Sequence, residues 1–143
     1  MNNAGWQGKS ILVVDDSIFI QNDLKLVFQE VGLNVVGVCG DGSEAINLYK
    51  SEKPDFVSLD IIMPGIHGIS CYREIKKIDP DAQCFFVSCL SSNNRFTDEF
   101  DSEIEKSIFL PKPLKAEVLE AFLNRTYQVH EATEEKEELP QPA

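Results

Sequence analysis

Short apolar runs alternate with longer amphipathic segments along this chain, and this alternation constrains the fold more than any other feature of the sequence. Continuous apolar runs of this kind are typical of strands that are buried on both faces of a sheet. They occupy residues 11–14, 35–39, 56–59, 84–87 and 108–110. Between them, apolar residues recur every three or four positions, as they do in helices that cover a sheet. We therefore predict an α/β fold with a five-stranded parallel sheet.

The helices expected between these strands complete the fold class. Five helices distributed over both faces of the sheet make it a flavodoxin-like doubly wound fold. Asp16 or Ser17 can cap the first helix, and Ser43 can cap the second. The fourth helix is the least clear, because residues 91–107 carry few apolar side chains among many acids. The inner face of the last helix is predicted from four apolar residues: Leu114, Val118, Ala121 and Phe122.

Polar side chains follow four of the predicted strands, at the point where each strand ends. Asp15 and Asp16 come directly after the first strand, and Asp60 comes after the third. Ser88 follows the fourth strand, and Lys112 follows the fifth. Because the carboxyl ends of parallel strands share one edge of the sheet, which is where such folds bind ligands, we expect these side chains to lie close together.

Three carboxylates at one edge of a sheet repel each other. Two unit charges ~4 Å apart interact by about 4 kcal/mol at an effective dielectric constant of about 20. Without a cation, one of the three carboxylates should therefore have a raised pKa. Oxygen ligands favour a hard divalent cation that retains bound water, which indicates Mg2+, and Mn2+ is expected to substitute for it.

Four motifs that lie far apart in the chain carry a resemblance to a known family: Asp15-Asp16-Ser17, residues 60–68, Val87-Ser88 and Lys112-Pro113. Together they resemble the motif set of bacterial two-component response-regulator receiver domains, of the stand-alone, chemotaxis-regulator-like type. The resemblance covers roughly residues 9–127. It divides the chain into a short N-terminal extension (1–8), a receiver domain (9–127) and an acidic tail (128–143) that is expected to be disordered.

The resemblance implies a phosphorylation site with a bound metal ion. Asp60 is the expected phosphoacceptor, whose carboxylate attacks a phosphoryl group in line. The Mg2+ ligands it implies are Asp15, Asp16, Asp60 and the backbone carbonyl of Ile62. The expected donor is a phosphohistidine on a sensor histidine kinase or a phosphotransfer protein.

Further residues are expected to bind the phosphoryl group or to respond to it. Lys112 and Ser88 should contact phosphoryl oxygens, and the Lys112–Pro113 bond is cis in the family. Ser88 and Phe109 form the expected switch: the hydroxyl moves toward the phosphoryl group and the aromatic ring fills the vacated space. The residues expected to flank the phosphoryl group are Ile62, Cys89 and Leu90.

The function implied by the resemblance is a signalling switch that binds an unidentified downstream protein once phosphorylated. Such a protein catalyses its own phosphorylation and dephosphorylation but is not a classical enzyme. A phosphorelay intermediate or phosphate sink is the alternative within the family. Two alternatives from other classes are a phosphorylation-independent binding module and a metal-dependent phosphatase. The haloacid-dehalogenase pattern of such phosphatases would need Asp-x-Asp after the first strand, which Asp15-Asp16-Ser17 does not supply.

Composition argues against several other classes of protein. A net charge of -11 disfavours nucleic-acid binding, which needs basic surface. No apolar stretch approaches the roughly 18 residues that span a bilayer, and residues 1–7 lack a secretory signal, so we expect a cytoplasmic protein without membrane insertion. Four cysteines show no zinc-like spacing and are expected to be free thiols, largely buried: Cys39, Cys71, Cys84 and Cys89.

Overall fold

The computed structural model describes residues 5–63, 65–89 and 108–126. These residues contain one parallel sheet whose strand order is β2-β1-β3-β4-β5. The strands are β1 (Ser10–Val14), β2 (Asn34–Cys39), β3 (Phe56–Leu59), β4 (Gln83–Ser88) and β5 (Phe109–Pro111). The helices are α1 (Ile18–Glu30), α2 (Gly42–Glu52), α3 (Gly68–Ile78) and a C-terminal helix over residues 116–126. The predicted doubly wound parallel sheet is therefore confirmed.

Two parts of the predicted organisation lie outside the described residues. The fourth of the five expected helices would fall within residues 91–107, and the acidic tail begins at residue 128. The described part of the chain contains four helices, and none of these could span a membrane.

The hydrophobic core is divided into two layers by the sheet. On one face, α1 and the C-terminal helix pack against alternate strand residues such as Ile11 and Val13. On the other face, α2 and α3 pack against the intervening residues such as Leu12 and Val14. A strand that is apolar on both faces has to be covered on both, which is why the central strands read as continuous apolar runs.

The helix boundaries follow capping, with one correction to the sequence prediction. Ser17 caps α1, because its Oγ accepts a hydrogen bond from the Ile20 N–H at 3.3 Å. The second helix begins earlier than predicted: Asp41, not Ser43, is its cap, and Asp41 Oδ1 accepts from the Glu44 N–H at 2.8 Å. Asp and Ser are both good caps. Asp41 is the cap here because its side chain accepts from the N–H of the third residue of the helix.

The inner face of the C-terminal helix differs from the prediction by one position. Leu119, Phe122 and Leu123 are buried in the core, whereas Val118 and Ala121 are exposed. Leu114 is buried as predicted, but it precedes the helix.

The N-terminal segment contributes a core residue that the sequence did not indicate. Trp6 is buried against α1 and the start of β2, and its Nε1–H donates to the Val31 carbonyl at 3.0 Å. The Gly8 N–H donates to the Gly32 carbonyl at 2.8 Å. Residues 5–8 therefore pack against the domain instead of extending away from it.

Candidate functional site

The site lies at the carboxyl edge of the sheet, where β1 and β3 end side by side. Val14 of β1 pairs with Leu59 of β3, so the next residues, Asp15 and Asp60, leave the sheet next to each other. The Asp60 N–H donates to the Val14 carbonyl at 2.9 Å, and this bond extends the pairing by one residue. The strand register thus positions two acids that are 45 positions apart in the sequence.

Three carboxylates meet at this edge, as the sequence predicted. One oxygen of each of Asp15, Asp16 and Asp60 lies within 4.8 Å of the others. Asp15 and Asp60 are buried, whereas Asp16 is exposed. The buried pair is the costly part of the cluster, since solvent screens their charges less than it screens the charge of Asp16.

Lys112, just after β5, provides the one positive charge that the described residues place at this cluster. Its Nζ lies 2.7 Å from Asp15 Oδ2 and 3.3 Å from Asp60 Oδ1. The ammonium contacts Asp15 Oδ2 as an ion pair, and this oxygen accepts no well-aligned hydrogen bond within the described residues. The Lys112–Pro113 peptide bond is cis, which confirms the expectation from the resemblance.

The pKa values at the site reflect burial and the neighbouring charges. The pKa of Asp60 is raised, first by burial of the carboxyl and then by repulsion from Asp15, while Lys112 partly opposes both effects. Burial is the largest influence on the pKa of Lys112 and lowers it, but Asp15 and Asp60 together outweigh burial, so this pKa is raised as well. The sequence predicted a carboxyl with a raised pKa from repulsion alone; burial is the larger cause.

The two residues of the expected switch, Ser88 and Phe109, lie on the neighbouring strands β4 and β5. Ser88 is buried at the end of β4, and its carbonyl accepts a hydrogen bond from the Lys112 N–H at 3.2 Å. Phe109 lies opposite Phe86 in the β4–β5 pairing, and the two rings stack with centroids 5.0 Å apart at an interplanar angle of 15°. Ser88 is therefore connected to Lys112 by a backbone hydrogen bond, and the Phe109 ring packs against the core residue Phe86.

The loop after Asp60 depends on a close approach by Gly68. A Cβ at residue 68 would lie 2.0 Å from the Asp60 carbonyl oxygen, so only glycine allows α3 to begin at this point. The Gly68 N–H donates to the Ile61 carbonyl at 2.9 Å. These contacts fix the backbone that carries Asp60.

The three residues expected to flank the phosphoryl group differ in what the structure describes. The side chain of Ile62 is 55% exposed at the rim of the site. Cys89 is exposed, whereas the other three cysteines are buried free thiols. Leu90 lies outside the described residues.

One residue at the site was missed by sequence reasoning. Gln21, at the end of the first turn of α1, donates from its side-chain Nε2 to the Asp15 carbonyl and, at 3.5 Å, to the Cys39 carbonyl. The available signal was weak: Gln21 is a polar residue between the apolar Ile20 and Leu24 on a helix that starts at the site.

The residues present fit a hard divalent cation. Three carboxylates and one ammonium leave a net negative charge at the edge, and carboxylate oxygens are the ligands that Mg2+ prefers in proteins. The acidic cluster is therefore consistent with a Mg2+ site.

Comparison with known proteins identifies the class to which this fold and site belong. The model of the response regulator receiver domain family matches residues 11–124. This chain therefore belongs to the response regulator receiver domain family.

Individual relatives are similar over almost their whole length. The chemotaxis protein CheY of Thermotoga maritima is 34% identical over 118 residues, which cover 82% of this chain and 97% of that protein. The chemotaxis protein CheY of Bacillus subtilis is 35% identical over 117 residues, which cover 81% of this chain and 95% of that protein.

A solved structure shows the same similarity in three dimensions. A chain of the CheX-CheY-BeF3-Mg+2 complex from Borrelia burgdorferi matches this structure with a TM-score of 0.75 and 29% sequence identity. The match covers 85% of this chain and 90% of that chain.

Proposed function

We propose that this chain is a phosphorylatable signalling switch, in which Asp60 accepts a phosphoryl group with Mg2+ bound and the partner-binding surface changes as a result. One observation carries the proposal: the buried carboxylates of Asp15 and Asp60 share a single ammonium, with Lys112 Nζ at 2.7 and 3.3 Å. Membership of the receiver family and the similarity to chemotaxis proteins support it.

The proposed transfer needs little covalent chemistry from the protein. A carboxylate oxygen of Asp60 forms a bond to phosphorus while the phosphorus–nitrogen bond of a phosphohistidine breaks, and the electron pair of that bond stays on the imidazole nitrogen. The side chain changes from a charge of -1 to an acyl phosphate near -2. Catalysis is then mainly positioning and charge neutralisation.

The residues around Asp60 have separate parts in this reaction. Lys112 binds one phosphoryl oxygen as a point charge, and the Ser88 hydroxyl donates to another. When bound, Mg2+ supplies charge neutralisation and orients a phosphoryl oxygen. Its ligands would be the carboxylates of Asp15, Asp16 and Asp60 and the carbonyl of Ile62.

Exposed apolar residues at the start of α1 support a protein as the phosphodonor. Ile18 is 70% exposed and Phe19 is 84% exposed, and only Ser17 separates them from the acid pair in the sequence. Large exposed apolar side chains beside a reactive site are typical of a surface that binds another protein. A donor that docks here would bury them and bring its phosphohistidine to Asp60.

The proposed output begins at Ser88 and Phe109. Phe109 is partly exposed on β5. If the Ser88 hydroxyl turns toward the phosphoryl group, the Phe109 ring can move inward and enter the vacated space. The surface that changes would include β5 and the C-terminal helix, together with the helix expected within residues 91–107. The similarity to chemotaxis proteins favours a diffusible output over a phosphorelay intermediate. Rapid return of the phosphoryl group from Asp60 to a second histidine protein would instead indicate the relay.

The experiment that tests the proposal is labelling with a small phosphodonor such as acetyl phosphate, read by intact-protein mass spectrometry. The wild type should gain one phosphoryl group in Mg2+ or Mn2+ and almost none in excess EDTA. Asp60→Asn should not be labelled. Asp23→Asn removes an exposed acid of α1 outside the cluster and is the matched control, which should be labelled like the wild type. Equal labelling of Asp60→Asn, or full labelling in EDTA, contradicts the proposal.

A further inference from the structure

We propose that Gln21 is a positioning residue for the metal site: it orients the peptide group that joins Asp15 to Asp16, and thereby the exposed ligand Asp16. This inference rests on the proposed function of the acid cluster as a Mg2+ site. No part of the sequence pattern assigned a role to Gln21, and the contacts that its side chain makes with the described residues of the site are with backbone carbonyls.

The Asp15–Asp16 peptide group is fixed on one side by β1 and β2. The Asp15 N–H donates to the Cys39 carbonyl at 3.0 Å, which extends the β1–β2 pairing by one residue. Asp15 Oδ1 accepts from the Ser17 N–H at 3.0 Å, and its Oδ2 contacts Lys112. These contacts are made by the N–H and the side chain of Asp15, and none of them is made by its carbonyl.

Gln21 supplies the missing constraint. Its Nε2 donates to the Asp15 carbonyl and lies 3.5 Å from the Cys39 carbonyl, so one amide bridges the ends of β1 and β2 from α1. The Asp15 carbonyl and the Asp16 N–H belong to the same planar peptide group. Fixing that carbonyl therefore fixes the direction in which the chain enters Asp16.

Asp16 is the ligand that needs this support most. It is the exposed member of the cluster, and its side chain makes no hydrogen bond or ion pair with the described residues. Asp15 and Asp60, in contrast, are buried and held by Lys112. Without Gln21, the peptide could rotate and Asp16 would have to be ordered when the cation binds, which weakens binding.

The test compares Gln21→Met with Gln29→Met, a matched substitution at an exposed position near the other end of the same helix. Mg2+ affinity is measured by titration calorimetry and Mn2+ affinity by electron paramagnetic resonance. Partners that orient a metal ligand typically contribute 10- to 100-fold to affinity, and we expect about tenfold weaker binding for Gln21→Met, because its contact is to the backbone. Gln29→Met should bind like the wild type.

Labelling by acetyl phosphate separates positioning from direct catalysis. In Gln21→Met, the Mg2+ concentration for half-maximal labelling should rise with the dissociation constant, whereas the labelling rate at saturating Mg2+ should be unchanged. Wild-type metal affinity in Gln21→Met, or a lower rate at saturating Mg2+ with unchanged affinity, overturns the proposal. If Gln21→Met does not fold in EDTA, Gln21→Asn provides the same test, since it keeps an amide but is one methylene too short to reach.

The two proposals can fail separately. If the wild type binds Mg2+ but is not labelled, the proposed function is wrong, while weaker metal binding by Gln21→Met would still support the positioning role. If the wild type binds no divalent cation, the positioning role is wrong as well.

Discussion

The amino edge of the sheet, where the strands begin, and the carboxyl edge, where they end, satisfy their polar groups in different ways. At the amino edge, Asp55 Oδ2 accepts from the Ser10 N–H at 2.8 Å and from the Ser10 hydroxyl at 3.0 Å. At the carboxyl edge, the carboxylates of Asp15 and Asp60 share one ammonium. At the amino edge, neutral donors stabilise the charge of Asp55, whereas at the carboxyl edge the described carboxylates outnumber the described ammonium.

At the amino edge, side-chain hydrogen bonds also connect separate parts of the chain. Trp6 Nε1 donates to the carbonyl at the end of α1, and the Tyr49 hydroxyl donates to Asp79 Oδ2 at 2.8 Å. Burial and the neighbouring Asp79 raise the pKa of Tyr49, so the phenol remains protonated. The polar groups described at this edge therefore stabilise the fold, while the carboxyl edge concentrates negative charge at the proposed cation and phosphoryl site.

The largest effect that we expect is at the amino edge. Trp6→Ala removes a buried indole from the core and should lower the free energy of unfolding by about 3–5 kcal/mol. Trp6→Phe keeps a ring but loses the hydrogen bond to Val31, and should cost only about 1 kcal/mol. Both are measured by urea denaturation. If the comparison is right, both losses are the same in Mg2+ and in EDTA; a loss that Mg2+ reverses would contradict it.

The next effect concerns Lys112, which provides the one ammonium that the described residues place at the carboxyl edge. Lys112→Met removes the counter-charge that the described residues provide to the buried Asp15 and Asp60, and breaking such a pair typically costs about 3 kcal/mol or more. Thermal unfolding in EDTA should show this loss, and Mg2+ should recover more stability in Lys112→Met than in the wild type. The matched control is Lys115→Met, which removes an exposed lysine three residues further on. An equal effect of Mg2+ on both variants would show that Lys112 does not neutralise the cluster.

The smallest expected effect is on the lifetime of the phosphorylated form. Ile62 offers no hydrogen bond at the rim of the site, and polar groups there could orient the water that hydrolyses the acyl phosphate. The double variant Ile62→Asn, Leu90→Glu should therefore lose its phosphoryl group faster in Mg2+, by less than about 100-fold, the lower range for a positioned polar group. Ile78→Asn, at an exposed position at the end of α3, is the control. Equal or slower decay of the double variant contradicts the shielding argument.

The carboxyl edge could be predicted largely from the sequence, because parallel strands end at one edge whatever their separation along the chain. That rule was sufficient to predict that Asp15, Asp60 and Lys112 lie close together. It could not identify Gln21, whose contact depends on the angle at which α1 leaves β1. Residues on a helix next to a predicted site are thus hard to rank from sequence alone.

The amino edge was predicted less well, for a physical reason. Trp6 and Val31 are 25 positions apart, and no local pattern indicates that an N-terminal turn folds back onto the end of α1. The C-terminal helix shows a related difficulty. Its apolar residues fit two helical faces one position apart, and only packing against the sheet selects Leu119 and Leu123 over Val118.

The account can be tested most directly by the pH dependence of stability in the wild type and Asp60→Asn, both in EDTA. A carboxyl whose pKa is raised on folding stabilises the native state fully below its unfolded pKa and loses this contribution as pH rises through the folded pKa. The wild type should therefore become less stable relative to Asp60→Asn as pH rises from about 4 to neutrality. Addition of Mg2+ at neutral pH should remove that difference. A stability difference between the two proteins that is independent of pH, or that grows in the opposite direction, would contradict the account. It would show that the ionised Asp60 is not destabilised by burial and by repulsion from Asp15.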